Sequence, residues 1–203
     1  MNDFKKNNFC VVENSLPKDV LDIATQYAFF DEMQNHSNQD DQVPNAFSKY
    51  GDPLMETILL HINPIMEENT GLKLFPTYSY YRIYRDGDEL KNHTDRPACE
   101  ISSTLCFNYE FGNDYKWPIY MNNKKIEQNS GDLVIYKGCE LDHRRDKLVL
   151  NNTNAWQVQG FFHYVDANGP FADQKWDNRL SIGNNNKHSE IRTHEKSYIE
   201  YTK

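Results

Sequence analysis

The apolar positions in the first third of the chain recur at helical spacing. Leu16-Pro17 is typical of a helix start, because proline is tolerated in the first helical turn. The apolar residues that follow fall on one stripe, at Val20, Leu21, Ala24, Tyr27 and Ala28. The polar residues 35–42 then predict a loop.

A second helix start follows at Asp52-Pro53, with aspartate as N-cap and proline as the first helical residue. Its apolar stripe comprises Leu54, Ile58, Leu59 and Ile62. Pro64 should kink or end this helix, and Gly71 marks its stop.

The pattern changes at Pro76 to short aromatic and β-branched runs broken by Gly, Asn and Asp. Such runs are typical of antiparallel strands in a sandwich or barrel. The candidate strands are 77–84, 101–109, 117–120, 133–136, 141–145 and 156–165. The sequence therefore predicts a mainly β protein with N-terminal helices.

The chain has 203 residues, of which 38% are hydrophobic, and this is enough for a substantial core. We expect a single domain over 1–203, with N-terminal helical support (1–75), a β core (76–170) and a C-terminal segment (171–203). From about Gly183 this segment is polar, which predicts a tail or a loosely docked helix. The four cysteines form no C-x-x-C pair, and no apolar stretch is long enough to span a bilayer. We therefore expect a cytoplasmic protein without a membrane partner.

Three residues of the β region predict a metal centre. His93 and Asp95 lie two apart, so in an extended segment both side chains face the same way, and His143 is a third ligand of suitable type. Two imidazoles and one carboxylate leave three octahedral positions free, as in non-haem iron(II) oxygenases. An isolated H-x-D is common by chance, and its alternative interpretation is a loop histidine with a capping aspartate.

The region from Pro76 to Arg179 resembles the 2-oxoglutarate and Fe(II)-dependent dioxygenases, particularly the prolyl-hydroxylase-like group. Two features carry the resemblance: a tyrosine and a glycine-containing turn precede H-T-D at 93–95, and G-D-L-V-I-Y at 131–136 precedes the distal His143. The matching segments are 80–88, 90–97, 99–102, 131–138, 143–145 and 160–165. The resemblance implies a double-stranded β-helix, the cupin-like jelly-roll, with the metal centre in its open mouth.

The resemblance also implies three cofactors or cosubstrates: Fe(II), 2-oxoglutarate and dioxygen. His93, Asp95 and His143 would be the metal ligands and the catalytic residues. A halogenase would lack the carboxylate ligand, so Asp95 favours hydroxylation or a related oxidation, with release of succinate and carbon dioxide.

The far carboxylate of 2-oxoglutarate needs a cation, usually an arginine that makes two parallel hydrogen bonds. The related enzymes commonly place it about ten residues after the distal histidine, where this chain has only uncharged residues, 152–157. Arg145 lies two residues beyond His143 and would face the same cavity if the strand continues. The alternatives are that Arg145 is a surface residue beside a hairpin, or that Arg144 binds the carboxylate if the strand ends or bulges there. Gln157 or Gln159 would add a neutral hydrogen bond.

Tyr84 occupies the place where related hydroxylases have a tyrosine in the cosubstrate pocket, and its hydroxyl could donate to the carboxylate. Packing is the alternative role for this aromatic residue, as it is for Tyr80. Arg82 and Arg96 could bind an acidic group of the substrate, but pairing with surface carboxylates is the role that we expect for each. His163 lies in an apolar strand, where a hydrogen-bonded core histidine is expected rather than a metal ligand.

The predicted substrate is a peptidyl side chain, such as a proline, or a small molecule. A net charge of −8 weighs against nucleic acid, which is the substrate of oxidative demethylases. Two further alternatives are a non-catalytic jelly-roll domain and a zinc-dependent hydrolase, although no H-E-x-x-H motif supplies a general base. The sequence leaves the oligomeric state open.

Overall fold

Two antiparallel sheets form the frame of the protein. The computed structural model describes residues 3–34, 40–112, 114–150 and 154–184. Numbered along the chain, the six-stranded sheet comprises, from edge to edge, β1 (Phe9–Val12), β8 (Leu133–Lys137), β5 (Ile101–Glu110), β10 (Trp156–Asp166), β3 (Leu74–Arg85) and β2 (Phe47–Tyr50). The four-stranded sheet comprises β4 (Leu90–His93), β9 (His143–Arg145), β6 (Ile119–Met121) and β7 (Lys124–Ile126).

Three α-helices precede most of the strands: α1 (Asp3–Asn7), α2 (Lys18–Met33) and α3 (Pro53–Thr70). The start of α3 is as predicted, because the Asp52 side chain accepts hydrogen bonds from the backbone N–H groups of Leu54 and Met55. Gly71 ends the helix in a left-handed conformation with φ of 73°. Two short 3₁₀ segments, Pro97–Cys99 and Ala172–Asn178, lie between and after the later strands.

Pro64 does not end the second helix, which was one of its two predicted effects, because α3 continues past this residue to Thr70. Proline removes one backbone hydrogen bond. The buried apolar face, which extends past Pro64 to Met66, outweighs that loss because tertiary packing supplies most of a helix's stability.

The six-stranded sheet packs one face against the helices. Alternate residues on its central strands, among them Tyr81 and Ile83 of β3 and Phe162 and Tyr164 of β10, join the apolar core with α2 and α3. The opposite face turns toward the four-stranded sheet. It carries polar and aromatic side chains instead, and these build the site.

All six predicted strands are present, with ends that differ by a few residues. The prediction missed β1, β2, β4 and β7, which have only three or four residues each. Several of these also carry Lys or Asn, which are uncommon in strands. Most of the predicted loop 35–42 and the tail beyond residue 184 lie outside the described residues. Among the residues that the structure describes, no helix is long and apolar enough to cross a bilayer.

Candidate metal centre

The two sheets bring the predicted ligands His93, Asp95 and His143 together. His93 ends β4 and His143 begins β9, and the two residues are directly paired across these antiparallel strands. Their ring centroids are 4.2 Å apart. Oδ1 of Asp95 lies 3.7 Å from Nε2 of His93 and 3.5 Å from Nε2 of His143. One donor atom from each residue lies within 4.8 Å of the others, so a single ion can contact all three.

Backbone carbonyls fix the orientation of both imidazoles. Nδ1 of His93 is 2.8 Å from the carbonyl oxygen of Lys91, and Nδ1 of His143 is 3.0 Å from that of Leu141. A carbonyl oxygen only accepts, so each Nδ1 carries the hydrogen and each Nε2 keeps its lone pair for a metal. These acceptors were not predictable from the sequence, because they depend on how β4 and β9 begin and end.

The charges at the centre also suit a divalent metal. Burial lowers the pKa of His93, and the neighbouring His143 lowers it further, so the ring is neutral at pH 7. Burial alone would raise the pKa of Asp95, but contact with His143 and the nearby His163 and His93 lowers it to about 2. Two histidines and one carboxylate are the donor set expected for Fe(II), and the residues present therefore fit this ion.

The centre opens into a cavity of about 400 Å³. Aromatic and charged side chains share its wall with the three donor residues, among them Tyr78, Tyr136, Phe161, Arg82 and Arg96. A second groove of about 420 Å³ lies beside it, since both are bordered by His93, Leu90 and Gln42.

Arg145 lies between the sheets and is fully buried. It donates from Nη1 to the carbonyl oxygen of Trp117 at 2.7 Å and from Nη2 to Oε1 of Gln128 at 2.8 Å. Its Nε has no hydrogen-bond partner, and no carboxylate of the described residues lies within ion-pair distance. Burial lowers the pKa of this guanidinium. A buried charge without a counter-ion is costly, and it marks a place suited to an anion.

Neutral polar side chains form a hydrogen-bonded network that reaches this guanidinium through Gln128. Gln157 donates to Oε1 of Gln159 at 2.6 Å, and Gln159 donates to Oγ1 of Thr104 at 2.6 Å and to Oε1 of Gln128 at 3.3 Å. The sequence interpretation included Gln157 and Gln159 but missed Thr104 and Gln128. Gln128 lies in the loop after β7, where no motif marks it.

Tyr84 connects this buried group with the metal cavity. Its hydroxyl accepts a hydrogen bond from Arg82 at 3.2 Å, and its ring packs edge-on against Trp117 at 5.0 Å. Arg145 lies over the same Trp117 ring, 5.1 Å from its centroid. Arg145, Tyr84 and Gln157 do not themselves line the cavity around the histidines.

The remaining candidates pair within the protein, although the carboxylates that hold Arg82 and Arg96 are buried and not at the surface as expected. Arg82 is held by the carboxylate of Asp40, with 2.5 Å from Nε to Oδ2, and Arg96 makes two hydrogen bonds to Asp177. His163 is buried and bonded through Nδ1 to Oγ of Ser102 at 2.9 Å. Burial lowers the pKa of His163 to about 4, so it is neutral at pH 7.

No protein-family model and no curated protein sequence matches the chain. Among solved structures, a prolyl-4-hydroxylase from Pseudomonas putida is similar, with 15% identity and a TM-score of 0.64 over 79% of this chain and 95% of that one. The epimerase SnoN, in complex with Fe³⁺, alpha ketoglutarate and nogalamycin RO, has 9% identity and a TM-score of 0.65 over 81% of each chain.

A viral collagen prolyl hydroxylase from Paramecium Bursaria Chlorella virus-1, in its 2-oxoglutarate complex, has 10% identity and a TM-score of 0.59 over 79% of this chain and 97% of that one. At such identities the likeness shows the fold. The chain has the double-stranded β-helix fold of the 2-oxoglutarate and Fe(II)-dependent oxygenases, which confirms the predicted fold class.

Proposed function

We propose that the chain is an Fe(II)- and 2-oxoglutarate-dependent dioxygenase that hydroxylates an unactivated C–H bond and releases succinate and carbon dioxide. One observation on β9 carries this proposal. His143 belongs to a convergent donor set, and Arg145, two residues further on, is a buried guanidinium without a carboxylate partner among the described residues. A metal-binding group and an anion-binding group therefore lie on one short strand.

His93, Asp95 and His143 would hold Fe(II) through Nε2, Oδ1 and Nε2. The iron and 2-oxoglutarate, when bound, supply the oxidation of the substrate by dioxygen. The chain's own residues position these groups. The carbonyl oxygens of Lys91 and Leu141 keep both Nε2 atoms available, and three protein ligands leave room for the cosubstrates.

Arg145 would bind the far carboxylate of 2-oxoglutarate. Two residues along a strand span roughly 7 Å, which is comparable with the length of this cosubstrate. Arg82 lines the cavity, but Asp40 already neutralises its charge. Tyr84 and Gln157 would add neutral hydrogen bonds. Because Arg145 does not line the cavity, we infer that side chains between the metal and the guanidinium move when 2-oxoglutarate binds.

The substrate that we favour is a peptidyl side chain, such as a proline, over a small molecule. Support comes from the groove of about 420 Å³ that lies beside the metal cavity, where the rest of an extended chain could bind. Two further statements remain predictions from the sequence: that the protein is cytoplasmic, and that nucleic acid is not its substrate because the net charge is negative.

Succinate formation tests the proposed function. The protein is incubated in air with Fe(II), 2-oxoglutarate and panels of proline-containing peptides and small molecules. We expect succinate only when iron, 2-oxoglutarate and oxygen are all present, none from His93→Ala, and the wild-type amount from Arg144→Ala. Absence of succinate together with absence of iron binding would favour a non-catalytic jelly-roll domain, and tight zinc binding without 2-oxoglutarate binding would favour the hydrolase.

A further inference from the structure

The two oxygens of Asp95 have different surroundings. Oδ1 faces the imidazoles, 3.5 Å from Nε2 of His143 and 3.7 Å from Nε2 of His93. Oδ2 faces away from them and accepts a hydrogen bond from Oγ of Ser102 at 3.0 Å. One oxygen is therefore available to a metal while the other is already bound by the protein.

The hydroxyl of Ser102 has three partners within 3.0 Å, and it also interacts with the hydroxyl of Tyr136. Besides Oδ2 of Asp95, the carbonyl oxygen of Cys99 is 3.0 Å away and Nδ1 of His163 is 2.9 Å away. A hydroxyl has one hydrogen, and the carboxylate and the carbonyl can only accept. Nδ1 of His163 must therefore carry a hydrogen and donate it to Oγ, which leaves the hydroxyl hydrogen for the side of Asp95 and Cys99.

Gly138 closes the same space from the end of β8. A Cβ atom at this position would lie closest to the backbone carbonyl oxygen of Cys99, and it would also lie 2.5 Å from Oδ2 of Asp95 and 2.8 Å from Oγ of Ser102. Any other residue would force these groups apart. The carbonyl oxygen of Gly138 also accepts the backbone N–H of Asp95 at 2.8 Å, which fixes where the carboxylate begins.

We propose that Ser102, His163 and Gly138 hold Oδ2 of Asp95 away from the metal, so that Asp95 binds it through Oδ1 alone. A carboxylate that bound through both oxygens would occupy one of the positions that the cosubstrates need. Ser102 and His163 are thus positioning residues, which act on the metal only through Asp95. This inference rests on the proposed function, because it takes Asp95 as a metal ligand.

Co(II) binding tests the inference without turnover. Visible absorption reports the coordination of this ion, and its titration gives a dissociation constant. We expect Ser102→Ala to bind Co(II) 10- to 100-fold more weakly, the range typical of lost outer-shell partners, and to change the absorption bands. Ser103→Ala is the matched control. Ser103 is the next residue, is also buried, and donates instead to the carbonyl oxygen of Phe162 at 3.3 Å.

Two variants of His163 provide an independent readout. His163→Asn keeps an N–H near the place of Nδ1 and should keep the wild-type bands, whereas His163→Leu removes the donor and should behave as Ser102→Ala does. Wild-type affinity and bands in both Ser102→Ala and His163→Leu would overturn the inference while leaving the metal centre intact. Failure of the wild-type protein to bind Co(II) or Fe(II) would instead overturn the proposed function and this inference with it.

Discussion

Replacing Arg145 with methionine should separate cosubstrate binding from stability. Methionine has a similar length and keeps the apolar contact with Trp117, but it carries no charge. Each hydrogen bond to a charged group contributes about 1.5–3 kcal/mol. Loss of the pair between the guanidinium and a carboxylate should therefore weaken 2-oxoglutarate binding by about 3 kcal/mol or more, which is roughly a hundredfold or more in the dissociation constant.

The stability of the ligand-free protein should change little. Arg145→Met leaves the carbonyl oxygen of Trp117 without this donor, at a cost of about 1–3 kcal/mol, and leaves Oε1 of Gln128 with only the longer hydrogen bond from Gln159. The same change removes a fully buried charge, whose desolvation costs several kcal/mol. The two effects oppose each other, so we expect the free energy of unfolding to shift by no more than about 2 kcal/mol.

The assay is calorimetric titration of 2-oxoglutarate into the anaerobic protein loaded with Fe(II), with urea unfolding of the metal-free protein measured alongside. Arg144→Met is the matched control, because Arg144 faces the other side of β9 and pairs with Asp146 and Asn123. We expect wild-type binding from this control. If Arg145→Met bound 2-oxoglutarate normally but lost 3–5 kcal/mol of stability, Arg145 would be a structural residue and the reasoning would be refuted.

Three further predictions concern the fold and the surroundings of the centre. Burial lowers the pKa of His163 from 6.5 in the unfolded chain to about 4 in the folded protein. Between these two pH values the unfolded chain therefore binds a proton that the folded protein does not. The metal-free protein should therefore lose about 3 kcal/mol of stability as the pH falls from 6.5 to 4, and His163→Asn should remove that part of the loss in urea unfolding; equal pH slopes in both proteins would contradict this. Pro64→Ala should stabilise the protein by about 1–3 kcal/mol in thermal unfolding, because it restores a backbone hydrogen bond of α3 on an exposed face, and a lower midpoint would show that proline is favourable there. Gly138→Ala should cost about 1–3 kcal/mol of stability and weaken Co(II) binding, whereas unchanged binding would show that Asp95 tolerates a Cβ beside it.

The residues that alternation places on one face were predictable from the sequence. His143 and Arg145 both turn inward from β9 as the two-residue period requires, and Arg144 does not. His93 and Asp95 also reach the same cavity, although β4 ends at His93 and Asp95 is held by a backbone hydrogen bond to Gly138. The metal-ligand motif was informative because the spacing of residues along a strand decides which of these side chains face the cavity.

Contacts between distant segments were not predictable. The pairing of Arg82 with Asp40 joins residues that are 42 positions apart, and Gln128 reaches Arg145 from a loop without a motif. The relation of Ser102 to Asp95 depends on β5 and β8 meeting beside Gly138. Such contacts follow from packing of the two sheets, on which local hydrophobic patterns carry no information.

The most direct test of the proposed function is the visible absorption of the oxygen-free protein during stepwise addition of Fe(II) and then 2-oxoglutarate. If 2-oxoglutarate chelates iron held by His93, Asp95 and His143, a metal-to-ligand charge-transfer band should develop only after both additions. That band should be absent in His93→Ala and should need much more 2-oxoglutarate in Arg145→Met. No band in the wild-type protein, with calorimetry showing that neither Fe(II) nor 2-oxoglutarate binds, would contradict the proposed function.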